Sequence, residues 1–539
     1  MRIYKNVFGF SALLLMFISV MASPAFAASC ESLSSLKLPD TTITSAQAVA
    51  AGAFSPSPNP GAAPAFFKDL PAFCRVTAVL KPSKDSDIKM EVWMPASGWN
   101  GKYEGVGNGG FAGSIVYLGL ASAVARGYAT AGTDTGHMSS ATDASWALGH
   151  PEKVVDFGYR SIHEMTVKAR AIIQAFYGNA PRHSYFASCS NGGREALMEA
   201  QRFPEDYDGI LAGAPANFWT SMLVSGIWDL QALQGDPKSY IPASKVPAIH
   251  SAVLAACDAQ DGVKDGIIND PRECRFDPST MVCKEGDSKD CLTAPQAEAL
   301  KKLYEGPHNS KAQPIFPGSV VGGEDGPGGW TTWVTGPAPG RSLQFAFSNG
   351  FFTNMVFEDP KWDFKTFNFD TGLKLANDKT AQALNSNDPN MKAFKERGGK
   401  LIIYHGWSDA AISPLNSIRY YNTVVDALGA QETNQFLRLF MVPGMQHCSG
   451  GPGPNSFGQA GNPKAPADAE HNIFTALEQW VEKGTAPDKI VAAKWVTDLD
   501  PAQGARMTRP LCPHPQVAKY KGTGDTNDEA NFTCVAGKK

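Results

Sequence analysis

The chain has 539 residues, with 48 Lys and Arg against 52 Asp and Glu and a formal net charge of −4. It lacks the basic surplus of a nucleic-acid binder, and its 43% hydrophobic and 19% charged residues allow a large core, which excludes compositional disorder. The 52 Gly and 38 Pro follow no period, so collagen-like and repeat architectures are excluded too.

The first element reads as an export signal. Arg2 and Lys5 precede an apolar run from Val7 to Met21, and Ala25-Phe26-Ala27 fits a small-residue cleavage site. Residues 1–27 are therefore expected to be a signal peptide. The run is too short for a retained anchor, and no later apolar stretch is long enough to span a bilayer, so no membrane partner is expected after cleavage. The ten cysteines are Cys30, Cys74, Cys189, Cys257, Cys274, Cys283, Cys291, Cys448, Cys512 and Cys534. An even set in an exported chain suggests full pairing and a secreted or periplasmic location. A lipid on Cys30 would strand one thiol, and Ala27-Ala28-Ser29 lacks the large aliphatic residue such sites carry.

Strand-like runs broken by glycine turns occupy Asp87 to Tyr128, and Lys89 to Met94 alternates with period two. Arg126-Gly127-Tyr128 turns into a predicted strand, Ala129 to Thr133. Ile162, Met165, Ala169, Ile172, Ile173 and Phe176 then form one stripe, predicting a helix from Ser161 to Tyr177 that Gly178 and Pro181 stop. A short strand, Ser184 to Ala187, and a helix from about Gly192 to Phe203 follow. Strand, helix, strand, helix implies a parallel sheet with helical crossovers.

This grammar lapses after Trp219. Residues 220–395 show no clean period, hold the four cysteines from Cys257 to Cys291, and gather Trp330, Trp333, Phe345, Phe347, Phe351, Phe352, Phe357 and Trp362. It resumes at Lys400 to His405, with a helix from about Pro414 to Leu428 and a strand from Phe436 to Val442. The tail after Gly484 is Pro-rich and carries the last cysteine pair. The predicted organisation is a catalytic α/β unit, 28–219 and 396–539, interrupted by a lid, 220–395, over the sheet's active edge.

The chemistry centres on Ser188-Cys189-Ser190-Asn191-Gly192-Gly193, between a predicted strand and a predicted helix. Small neighbours allow a sharp turn that lifts the Ser190 hydroxyl above the sheet edge and aims the Asn191 N–H at the site. Ser188 stands where the usual elbow has glycine. A base is offered by His447, in the loop after a late strand, and an orienting acid by Asp409, in His405-Gly406-Trp407-Ser408-Asp409. The chain order Ser, Asp, His is that of the α/β hydrolases, and the inserted lid accounts for the long gap between Ser190 and Asp409. Cys189 precedes the nucleophile and Cys448 follows the base, so a disulfide between them would tie the elbow to the base's loop. Gly107-Asn108-Gly109-Gly110 is expected to supply the second oxyanion donor, with Gly110 favoured. Asp134 and His137 are expected to brace the site rather than to react.

These motifs resemble those of the tannase and feruloyl esterase family, as do Gly107-Asn108-Gly109-Gly110-Phe111, Thr133-Asp134-Thr135-Gly136-His137, Tyr207-Asp208-Gly209-Ile210 and Gly444-Met445-Gln446-His447-Cys448. The resemblance implies an α/β-hydrolase fold with a large inserted lid, a Ser190–His447–Asp409 triad, and a Cys189–Cys448 bridge. It also implies the pairs Cys30–Cys74, Cys257–Cys274, Cys283–Cys291 and Cys512–Cys534. Asp258, Asp261 and Asp265 crowd within Cys257 to Ile267, where Gly262 and Gly266 let the chain curl. Such hard oxygens suit calcium, although the spacing is not that of an EF-hand and a solvated acidic turn is the alternative. By resemblance this is a structural calcium site in the lid, with carboxylates of Asp258, Asp261 and Asp265 and carbonyls of Val263 and Ile267. No organic cofactor is expected.

The implied function is hydrolysis of small aromatic-acid esters, of plant cell-wall or tannin origin. Hydroxycinnamoyl (feruloyl) esters are preferred, with galloyl esters or a terephthalate monoester as alternatives. Arg341 is a candidate cation for a terephthalate carboxylate. Readings outside this class are a calcium-stabilised secreted binding module and a peptidase using the same triad.

Overall fold

The computed structural model describes residues 1, 29–56, 65–460, 465–497 and 500–537. The expected signal peptide, apart from Met1, lies outside the described residues. The core is a nine-stranded sheet of β1 (Thr41–Val49), β2 (Phe73–Leu80), β3 (Ile88–Pro95), β4 (Lys102–Val106), β5 (Ala129–Thr133), β6 (His183–Cys189), β7 (Gly209–Gly213), β8 (Lys400–Gly406) and β9 (Leu437–Val442), in the order β1-β2-β3-β5-β4-β6-β7-β8-β9. The first three strands and the β3–β5 pair run antiparallel, and every later pair runs parallel. Leu401 to Tyr404 in β8 and Gly209 to Gly213 in β7 are buried throughout, as strands covered on both faces require.

Helices cover both faces. The main ones in the first half are α1 (Tyr117–Ala125), α2 (Ser161–Tyr177) and α3 (Asn191–Arg202). The whole predicted stripe of α2 is buried, and Gly178 closes the helix at φ 77°, a left-handed backbone that glycine adopts without strain.

Between β7 and β8 the chain leaves the sheet and builds α4 (Trp219–Gln234), α5 (Val246–Cys257), α6 (Ala294–Glu305) and α7 (Leu343–Phe351), joined by short turns. The absence of a clean period has a physical reason at α4, which buries Trp219, Leu223, Val224, Ile227, Asp229, Leu230 and Leu233 and so shows no polar face. The start of α6 does carry a sequence signal, a reciprocal capping box of Thr293 and Gln296. Phe357 stacks on Trp362 with ring centroids 4.8 Å apart, one pair within the lid's own aromatic core.

The second half adds α8 (Leu415–Leu428) and α9 (Ile473–Lys483). The Pro-rich tail is more ordered than its composition suggests. It forms two antiparallel pairs, β10 (Ile490–Thr497) with β11 (Asp500–Leu511) and β12 (Gln516–Tyr520) with β13 (Phe532–Ala536), because Ile490 to Trp495 is buried. Five disulfides join Cys30 to Cys74, Cys189 to Cys448, Cys257 to Cys274, Cys283 to Cys291 and Cys512 to Cys534. Among the described residues no cysteine is free, and no helix is long and apolar enough to cross a membrane.

Candidate active site

The turn between β6 and α3 sets the site. Ser190 sits there alone at φ 67° and ψ −124°, a strained backbone for a residue with a side chain. A Cβ on Gly192 would come within 1.8 Å of Ser188 Oγ, and one on Gly193 within 2.3 Å of the Gly213 carbonyl oxygen. Both glycines are therefore required by close approach. The serine at position 188 is accommodated because its hydroxyl fills the space that Gly192 leaves open.

Ser190, Asp409 and His447 converge. His447 Nδ1 lies 2.7 Å from Asp409 Oδ2, and His447 Nε2 lies 2.9 Å from Ser190 Oγ. A carboxylate only accepts, so Nδ1 carries the proton and Nε2 accepts the Ser190 hydroxyl. The Asp409 side chain has no solvent exposure, and its Oδ1 accepts the N–H groups of Ala411 and Ile412 at 2.8 and 2.9 Å. Burial works to raise its carboxyl, but His447 and His405 together hold it below the ordinary carboxylate range. The Cys189–Cys448 disulfide spans 6.0 Å between Cα atoms and joins the elbow to the loop of His447.

Asn191 opens α3, so its N–H has no intrahelical acceptor and lies at the positive end of the helix dipole. Gly110 adopts φ 56°, and a Cβ there would lie 2.3 Å from the Ala141 carbonyl oxygen, so only glycine fits. Gly110, Asn191, Ser190 and His447 line one cavity. The neighbouring Asn108 N–H is already used, because it donates to Glu195 Oε2 at 2.9 Å. Glu195 Oε1 accepts from Asn191 Nδ2, also at 2.9 Å, so one buried carboxyl staples the glycine loop to α3. Burial pushes that carboxyl up to about 7, against the opposing pull of Arg194. Asp134 Oδ1 accepts the N–H groups of Lys89 and Gly136, and His137 Nε2 meets the Phe111 carbonyl at 2.8 Å, so both side chains bond to backbone around the glycine loop.

The cavity over Ser190 has a volume of about 360 Å³. Its walls are apolar, from Trp219, Met222, Leu223, Trp333, Phe347 and Ile412, with Gln344 and Ser348 as the polar lid side chains. The Trp333 ring meets the His447 ring edge-on at 5.2 Å. Most of the predicted aromatics pack inside the lid instead, and only Trp333 and Phe347 of that set reach the cavity. Arg341 is exposed and is not among the lining residues, which corrects its candidacy as a carboxylate anchor. A larger cavity of about 560 Å³ lies behind the elbow, but neither Ser190 nor His447 lines it.

The acidic loop after α5 is curled. Asp258 Oδ1 accepts the N–H groups of Asp265 and Gly266 at 3.2 and 3.1 Å, and Asp261 Oδ1 accepts that of Val263 at 2.9 Å. Asp261, Val263, Asp265 and Ile267 line a cavity of about 20 Å³, the size of a single small ion or water. Burial raises the Asp261 carboxyl to about 6, and the charges of Asp265 and Asp258 add to the rise. Arg509 Nη2 bonds Asp265 Oδ2 at 2.7 Å and offsets part of this negative charge. Asp258 is not among the residues lining that space and Arg509 is, so of the three predicted carboxylates only Asp261 and Asp265 line it; hard oxygens of this kind suit calcium.

The sheet order, the strained serine between strand and helix, and the loops that converge on it define an α/β hydrolase. The chain belongs to the tannase and feruloyl esterase family, whose model matches residues 74–535. It is 44% identical to an uncharacterized esterase of Xanthomonas campestris, over 96% of this chain and 93% of the relative. It is 35% identical to a mono(2-hydroxyethyl) terephthalate hydrolase of Piscinibacter sakaiensis, over 87% of this chain and 85% of that protein. The crystal structure of feruloyl esterase B from Aspergillus oryzae superposes with a TM-score of 0.85 at 30% identity, covering 94% of this chain and 99% of that one.

Proposed function

We propose that this protein is an exported serine carboxylic-ester hydrolase acting on small aromatic-acid esters, with hydroxycinnamoyl esters preferred. The observation that carries the reading is the Ser190–His447–Asp409 hydrogen-bond chain at the floor of an apolar cavity. Ser190 Oγ attacks the ester carbonyl as His447 Nε2 takes its proton, and Asp409 steadies the imidazolium. The N–H groups of Asn191 and Gly110 receive the oxyanion. His447 then protonates the departing alcohol, and a water enters by the reverse relay to release the acid.

The lining supports a feruloyl group over its rivals. A terephthalate monoester carries a free carboxylate, yet among the described residues no Lys or Arg lines the cavity. A galloyl ring brings three hydroxyls, and the lid offers two polar side chains, Gln344 and Ser348. The leader motif and five disulfides support export to an oxidising space. We further propose a structural calcium held by Asp258, Asp261 and Asp265 and by the carbonyls of Val263 and Ile267. When bound it supplies compensating positive charge to the lid and takes no part in ester cleavage.

Comparing kcat/KM for methyl ferulate, methyl gallate and a terephthalate monoester tests the substrate class, and methyl ferulate is expected to lead. Ser190→Ala is expected to lose about 10⁴-fold or more with the fold intact. Binding without turnover of any ester would instead favour a binding module, and cleavage of amides alone a peptidase.

A further inference from the structure

Asp409 has a second imidazole on it. His405, the penultimate residue of β8, places Nε2 at 3.1 Å from Asp409 Oδ2, the same oxygen that receives His447 Nδ1. The protonation of His405 follows from its partners. Nε2 faces two acceptors, Asp409 Oδ2 and the Ile412 carbonyl oxygen at 3.1 Å, so Nε2 carries the hydrogen. Nδ1 is then the acceptor, and Ser417 Oγ, in the first turn of α8, donates to it at 2.7 Å. His405 and Ser417 are both completely buried, so neither bond exchanges with water.

We propose that His405, locked in its tautomer by Ser417, is a positioning residue of the relay that shares the charge of Asp409 and thereby tempers its pull on the His447 proton. The proposal rests on the reading of Asp409 as the acid of an acyl-transfer triad. A carboxylate with one imidazole partner concentrates its charge on that partner and favours the imidazolium. A second N–H on the same oxygen spreads the charge and so weakens the hold of Asp409 on the His447 Nδ1 proton. The shared donor also fixes the carboxylate plane, which sets where His447 points.

The titratable groups facing Asp409 are His405 from β8 and His447 from the loop after β9; Ala411 and Ile412 add only neutral N–H groups. His447 faces Asp409, the Ser190 hydroxyl and the uncharged Trp333 ring. Removing the His405 donor is therefore expected to raise the pH at which the acid limb of the rate profile falls.

The test follows kcat/KM and kcat against pH for p-nitrophenyl acetate, an ester too small to depend on the fit of the acyl cavity. His405→Leu is expected to lower kcat about ten- to a hundredfold at nearly unchanged KM and to move the acid limb up by about half a pH unit or more. His405→Gln, which returns an N–H near the Nε2 position, is expected to recover most of both. Ser417→Ala keeps the imidazole but frees its tautomer, and should lower kcat severalfold with a smaller shift in the same direction. An unmoved acid limb in Ser417→Ala and in folded His405→Leu overturns the proposal, even if rates drop uniformly at every pH. Should His405→Leu not fold, Ser417→Ala decides alone. Full activity in Ser190→Ala would instead strike the triad reading beneath it.

Discussion

Asp229 shows how a side chain away from the reacting atoms shapes the cavity. It lies in α4, buried, and accepts a hydrogen bond from Nε2 of the cavity-lining Gln344 at 2.7 Å. Burial pushes its carboxyl up to about 8, while the Gln344 bond pulls the other way. An unfolded Asp ionises near 3.8, so the folded state holds a proton that the unfolded chain has lost. The stability tied to that proton is complete below about pH 4 and drains away as pH climbs towards about 8. Asp229→Asn keeps an acceptor for Gln344 and removes the ionisation. It is expected to stabilise the fold by about 2 kcal/mol at pH 8 and by almost nothing at pH 4. Thermal unfolding at both values checks this, and an equal shift at both would refute it. Such partners leave little trace in sequence. Ser190, Asp409 and His447 were legible because their order and flanking cysteines form a motif, whereas Glu195 and His405 act through burial. The only signal available was spacing: Glu195 stands one helical turn after Asn191, and His405 four residues before Asp409.

Among elements, the two loops joined by Cys189–Cys448 stand 259 residues apart in the chain. The bridge links the end of β6 to the loop after β9, and Cys448 is itself held at φ 63°. A cross-link across so long a loop restricts the unfolded chain strongly, and it also fixes the loop of His447 relative to the Ser190 turn. Cys189→Ala with Cys448→Ala is expected to cost about 2–5 kcal/mol in denaturant unfolding and about tenfold in kcat. Midpoint and activity both at the wild-type level would sink the idea. The parallel strands and α2 could be read from the chain because burial on both faces, or on one stripe, writes a simple pattern. The helix α4 could not, since core surrounds it, and the tail strands were hidden by a Pro-rich context that tertiary packing overrides.

For the molecule as a whole, the calcium proposed for the lid's acidic loop would couple stability to an ion. With calcium present the charges of Asp258, Asp261 and Asp265 are compensated, and without it Arg509 offsets only Asp265 directly. Excess EGTA is expected to lower the melting temperature by several degrees, corresponding to about 2–3 kcal/mol at a hundredfold ligand excess over Kd, and added calcium to restore it. Ester turnover at room temperature should persist, because the triad lies outside that loop. A melting curve indifferent to EGTA and to calcium would remove the ion from the account.

The origin of the cavity walls has a wider consequence. Ser190, Asp409, His447 and the proposed oxyanion donors belong to the sheet and its edge loops, while Met222, Leu223, Trp333, Gln344 and Phe347 come from the segment between β7 and β8. Most of the cavity's apolar walls are thus encoded by a different stretch of gene from Ser190, Asp409 and His447, although Ile412 follows β8. Substitutions confined to that middle stretch can change which acid is admitted while the bond-breaking apparatus is inherited intact, so diversification in such a lineage has an inexpensive route that bypasses the machinery it cannot spare.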